Sequence, residues 1–178
     1  MRAAALAALV PVVALVGAGC SGDPTPPAGA PLPVEAPVGE RLCGSVPASS
    51  AVMVLGTVKF THTGEVRRGR DSTVAAECLV SNTTRDRSEI VVLVRKGDDR
   101  TLAEASAAYT LPTVTYRYPA DVAALGYAYG SPTKAHGVIV RGGHIVQVDL
   151  NLPARGRDAL ADVVVLTRQV ADGLALPA

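Results

Sequence analysis

Three histidines, His62, His136 and His144, are the side chains of this 178-residue sequence best suited to acid–base work near neutral pH, and they are dispersed along the chain. A serine hydrolase would set one of them beside a nucleophile on a sharp strand-to-helix turn, and no Gly-x-Ser-x-Gly occurs. Each histidine therefore reads as a structural or solvated side chain. Asp98 and Asp99 are paired carboxylates of the kind used in glycoside or metal chemistry, but their place after Gly97 and ahead of a helical pattern suits a turn and an N-cap better. There is no phosphate-cradling glycine loop and no dinucleotide fingerprint, so no cofactor is expected and no catalytic residue is assigned.

The three cysteines, Cys20, Cys43 and Cys78, carry more information. Met1 and Arg2 form a short basic start, and Ala3 to Val16 is an apolar run broken only by Pro11, the pattern of a secretory signal peptide. Its 14 residues would span about 21 Å as a helix, short of the roughly 30 Å hydrocarbon core of a bilayer. The run ends in Val16-Gly17-Ala18-Gly19-Cys20, which resembles a bacterial lipobox. That resemblance implies cleavage before Cys20 and acylation of its sulfur, palmitate being one such chain. Two acyl chains suffice for stable anchoring at about 0.8 kcal/mol per buried methylene. Residues 1–19 are thus expected to be a lipoprotein signal peptide and the protein to be held at the extracytoplasmic face of the cell membrane.

Residues 20–39 hold six of the 13 prolines and two charges, the composition of a semi-extended tether that buries no core. Polyproline-like geometry at about 3 Å per residue would let such a tether hold a domain up to roughly 55 Å from the membrane. A single domain is expected over 40–178. An exported chain with one remaining pair, Cys43 and Cys78, suggests a disulfide, two reduced buried thiols being the alternative. Neither cysteine has a second Cys or a His at ligand spacing, so no metal site is expected.

Charge and aromatic content narrow the functions further. With 17 Lys+Arg against 16 Asp+Glu, the chain lacks the clustered cations that nucleic-acid binding requires. The basic loop around Arg67, Arg68 and Arg70, with Lys59 nearby, reads first as a solvated loop and second as a contact for anionic headgroups or an acidic envelope polymer. There is no Trp and one Phe, and all five Tyr fall between residues 109 and 129. Tyr116 and Tyr118, then Tyr127 and Tyr129, alternate along extended segments, so their rings suit either a half-buried core edge or the wall of a binding groove.

The elements that position these residues follow from periodicity. Pro47, then Ala48 to Leu55, stopped by Gly56, predicts a short helix. Val58, Phe60 and His62 alternate with polar residues as one strand, and Val74, Ala76, Cys78 and Val80 form the inward face of the next. Ile90 to Val94 is apolar on both faces, as in a central strand. A short helix is expected over Thr101–Tyr109, a strand over Thr113–Tyr118, and irregular or edge structure over Gly126–Gly130.

Gly142-Gly143 between alternating runs specifies a tight hairpin, with Val146, Val148, Leu150 and Leu152 sharing the core face. On its outer side Arg141 would stand opposite His144 and His136 opposite Asp149, a pairing between strands more readily than a catalytic dyad. Leu160, Val163, Val164, Thr167, Val170 and Leu174 predict a long amphipathic C-terminal helix packed across the sheet. The expected fold is α+β, a mostly antiparallel sheet of about five to six strands with a short N-terminal and a long C-terminal helix.

Leu42-Cys43-Gly44-Ser45-Val46-Pro47, Glu77-Cys78-Leu79-Val80, Ala124-Leu125-Gly126, Val138 to Gly143 and the terminal helix with Leu160-Ala161 together resemble a family of actinobacterial lipoproteins of unknown function. Its domain begins with a Cys and a short helix, carries a second Cys about 35 residues later, and ends in a hairpin and a helix. The resemblance implies a sheet with helices on one or both faces and implies no reaction. The functional expectation is a non-catalytic binding module for an envelope protein or an apolar small ligand, with Tyr116, Tyr118, Tyr127 and Tyr129 as its binding residues. The alternative is a cell-envelope hydrolase or transferase with an unrecognised site.

Overall fold

In the computed structural model, which describes residues 29–66, 76–84 and 88–176, two antiparallel meanders lie side by side. The chain runs β1 (Arg41–Leu42), β2 (Val46–Pro47), α1 (Ala48–Leu55), β3 (Phe60–Gly64), β4 (Ala76–Asn82), β5 (Glu89–Lys96), α2 (Asp99–Tyr109), β6 (Tyr116–Arg117), β7 (Leu125–Ser131), β8 (Lys134–Arg141), β9 (His144–Asn151) and α3 (Ala159–Gly173). Strands β3 to β5 form the first meander and β6 to β9 the second. They join because β9 pairs with β5, giving a seven-stranded sheet of order β3-β4-β5-β9-β8-β7-β6, while β1 and β2 form a separate ribbon. The fold is α+β and antiparallel, with one strand more in the sheet than the five to six expected. Residues Leu125–Ser131, expected as irregular or edge structure, are that inner strand. Tyr127 and Ala128 there are buried on opposite faces, so no half-polar alternation marks the segment.

The two faces of the sheet are covered unequally. Helices α1 and α3 cover one face, where Val80, Ile90, Val92, Val94, Ile139 and Val146 are fully buried. Helix α3 comes so close that a Cβ added to Gly137 would lie 2.3 Å from Thr167 Oγ1, so only glycine fits this β8 position. Its first turn is capped by Asp158, whose carboxylate accepts from the Leu160 and Ala161 amides. Among the described residues the opposite face carries only α2, which buries Ala105 alone. A smaller cluster of Val114, Tyr127, Val138 and Ile145 lies with it; among the described residues no element covers the β4–β5 half of this face, where Leu93 is exposed. Asp98 caps α2 as expected, accepting from the Thr101 amide while Thr101 Oγ1 accepts from the Asp98 amide.

The central hairpin has the expected register, with Gly142 and Gly143 at φ 53° and 73° in the turn. Arg141 pairs with His144 and His136 with Asp149, but on opposite faces. Residues 136 and 141 differ by an odd number, so period-two alternation sends Arg141 to Asp172 on α3 and leaves only His136 and Asp149 on the outer side. Leu152, expected on the core face, turns out of the strand at φ 45° and is half-buried.

Cys43 and Cys78 form a disulfide, with Cα atoms 5.8 Å apart, that ties the β1–β2 turn to the core face of β4. The Pro-rich stretch expected to stand clear of the domain docks on it over residues 30–35. Leu32 is buried in the main core, and the carbonyls of Ala30 and Pro33 accept from Arg157 and Gln169 of the α3 side. Cys20, the apolar run before it, Val74 and the arginines of the basic loop lie outside the described residues. Among the described residues no helix is long and apolar enough to cross a membrane.

Candidate functional site

Period-two alternation on β7, β8 and β9 places Tyr129, His136 and Asp149 in one row across the half-covered face, each opposite the next. His136 Nδ1 lies 2.6 Å from Asp149 Oδ1, and Gln147 Nε2 donates to Asp149 Oδ2 at 2.9 Å. An ionised carboxylate only accepts, so Nδ1 is the donor of this contact, and Nε2 has no protein partner among the described residues. The Tyr129 ring flanks the imidazole, centroid to centroid at 4.9 Å. These residues, with Ser131 and Lys134, line an open cleft of ≈ 550 Å³. His136 also forms the wall of a second cleft of ≈ 210 Å³ between α2 and the sheet, lined further by Arg95, Glu104, Tyr127 and Gln147.

The pair is part-buried, with His136 and Asp149 side chains 18% and 29% exposed. Burial pushes the Asp149 carboxyl upward, but the hydrogen bonds from His136 and Gln147, with the positive charges of His136 and Lys134, outweigh it and hold the group below its ordinary value. A depressed carboxyl stabilises the fold above its unfolded pKa, near 4, and that contribution disappears as pH falls through the folded value. Asp149→Asn is therefore expected to be less stable than the parent chain at pH 6. The gap should close progressively below about pH 4, as read by denaturant midpoints across a pH series.

The four expected tyrosines do not share a surface. Tyr116 pairs with Ala128, whose side belongs to the α3 face, whereas Tyr127 pairs with Arg117 on the α2 face. Tyr118 is 7% exposed and its hydroxyl donates to the Val164 carbonyl of α3 at 2.8 Å, so it closes the core edge. Burial raises its phenol pKa well above the ordinary value, as expected for a group satisfied in its neutral form. Tyr116 stands edge-on against it, with centroids 5.1 Å apart. Tyr127 is buried, and burial raises its phenol as well; it meets Tyr109 edge-to-face and stacks on Tyr129, while Arg117 lies 5.1 Å over the Tyr109 ring. Of the four, Tyr129 alone joins the cleft, with 37% of its surface exposed.

Gln147 and Lys134 are site residues that the sequence reading did not single out. The signal was present in β9, where Ile145, Gln147, Asp149 and Asn151 alternate with buried Val146, Val148 and Leu150. Chemically, the row offers the imidazole Nε2 of a ring held by Asp149, carboxylate oxygens at Asp149, an ammonium at Lys134 and a stacking ring at Tyr129. No described nucleophile is hydrogen-bonded to His136, and among the described residues no three His, Cys, Asp or Glu side chains converge to hold a metal. Compared with protein-family models, curated proteins and solved structures, the sequence finds no match in any of the three.

Proposed function

We propose that the protein is a lipid-anchored extracytoplasmic lipoprotein whose domain is a non-catalytic binding module, and that it takes an envelope protein on the half-covered face of its sheet. The observation that supports this reading most is the convergence of Tyr129, His136, Asp149 and Lys134 in one open cleft, on the sheet face where Leu93, opposite Gln147, is exposed. An aromatic ring and oriented polar groups on a face with exposed apolar surface suit a protein partner better than an apolar small ligand, which would want an enclosed pocket. The anchoring half of the proposal rests on the apolar run ending at Cys20.

A second reading, a cell-envelope hydrolase or transferase, is supported by the His136–Asp149 contact, because a carboxylate that orients an imidazole is also how a general base is held. One in-cell crosslinking experiment tests the anchor and the site of the first reading. Cys20→Ala should move the protein to the soluble fraction, whereas His136→Ala should stay with the membrane but capture its protein partner several-fold less. Cys20→Ala protein that remains membrane-bound after signal cleavage contradicts the anchor. Capture that is unchanged in His136→Ala contradicts the site.

A further inference from the structure

Two buried polar side chains hold the segment ahead of β1 against α3. The Arg157 side chain is 3% exposed, its guanidinium doubly bonded to Asp162, and its Nη1 donates to the Ala30 carbonyl at 2.8 Å. Gln169 is fully buried, accepts from Ser50 Oγ and donates to the Pro33 carbonyl at 2.6 Å, with Leu32 seated in the core between the two anchor points. The strap therefore runs alongside α3 from its first turn toward its last, where Arg41 packs on Gly173. Gly29, the first described residue, lies beside the Gly156 carbonyl in the β9–α3 loop. That is the end of the sheet bearing the β7–β8 turn, since Pro132 and Thr133 carbonyls accept from the Ala159 and Leu152 amides. The Gly142-Gly143 turn and the start of α2, joined by the bond from the Gly97 amide to the Gly143 carbonyl, lie at the other end.

We propose that this strap docks the domain end-on, with the β7–β8 turn and the β9–α3 loop against the bilayer surface. The inference rests on the proposed anchoring at Cys20. Nine residue steps separate Cys20 from Gly29, a reach of at most about 30 Å, against roughly 65 Å had the free chain extended to Gly39. Lys134 and Arg155 are exposed at this end with Asp158 and Glu89 near them, so the end is mixed in charge and the short reach, not headgroup attraction, carries the docking. The cleft around His136, two residues along β8 from the turn, then opens beside the membrane, where a partner emerging from the bilayer meets it first.

The test uses the chain from residue 20 onward, coupled through the Cys20 thiol to a maleimide lipid in phosphatidylcholine vesicles containing phosphatidylglycerol. The Cys43–Cys78 bridge leaves that thiol as the reactive one. A photoreactive residue replaces either Thr133 or Asp99, and lipid adducts are counted by mass spectrometry. Adducts from position 133 should exceed those from position 99 several-fold, and Leu32→Asp, which releases the strap, should bring the ratio toward one. If Leu32→Asp no longer melts cooperatively, a flexible insertion of twelve residues before Gly29 serves instead, with the same expected fall. Equal yields from the two positions, or a ratio indifferent to both strap release and tether length, overturn the proposal. Failure of cells to acylate Cys20 would overturn the anchoring and leave the coupled chain reporting on the strap alone.

Discussion

Replacing Cys43 and Cys78 together by serine should lower the stability of the domain by about 4 kcal/mol, the loop-closure entropy of a 35-residue separation. For a domain of this size that corresponds to a fall in melting temperature of roughly 10 °C. Cys78 is fully buried on the core face of β4, and Cys43 sits at φ 49° in the turn between β1 and β2. The bridge thus fastens a ribbon of two two-residue strands, too short to hold itself in place, to the edge meander. Calorimetry of the parent and double variant under oxidising conditions gives the answer. A shift under about 2 °C would mean that the ribbon is held by Leu42 and Val46 packing instead.

Asp162→Ala should be comparably severe, at about 3–5 kcal/mol, because it strands the Arg157 guanidinium in a site where both side chains are at most 5% exposed. The remaining bond to the Ala30 carbonyl does not neutralise the charge. Arg157→Met combined with Asp162→Leu removes both charges together and should recover much of that loss, since replacing a buried pair by apolar residues is often near neutral. The same double variant frees the Ala30 end of the strap. Its denaturant midpoint should lie clearly above that of Asp162→Ala. If both variants are equally unstable, the pair acts through packing rather than charge.

The elements with strong periodicity were readable in the sequence: α1 between Pro47 and Gly56, α2 behind its Asp98 cap, the hairpin at Gly142-Gly143, and α3. Each is decided by short-range chemistry such as caps, turns and one continuous apolar stripe. Strand β7 was not, because Leu-Gly-Tyr-Ala-Tyr-Gly-Ser offers small and aromatic residues whose two faces are both buried, one under α3 and one under α2. The docked strap was equally hidden. Its prolines suit an extended chain, and nothing local shows that Arg157 and Gln169, more than 120 residues away, will donate to that chain's carbonyls. Within the candidate site, the His136–Asp149 pairing followed from the turn register alone. Assembling the tyrosines into one surface failed because β6 pairs with β7 in a register that puts Tyr116 and Tyr127 on opposite faces, and pairing register between distant strands is not written in either strand alone.

Melting temperature and crosslinking yield, measured on the same Tyr129→Ala and Tyr118→Ala variants, test the binding-module account most directly. Tyr118 fills the core edge and donates to Val164, so its truncation should cost about 3–5 kcal/mol and melt the domain early. Tyr129 stands at the cleft against His136, so its truncation should leave the melting temperature within about 2 °C of the parent while capture falls several-fold. Early melting of Tyr129→Ala with undiminished capture would contradict the account, since the ring would then be packing and the partner would sit elsewhere.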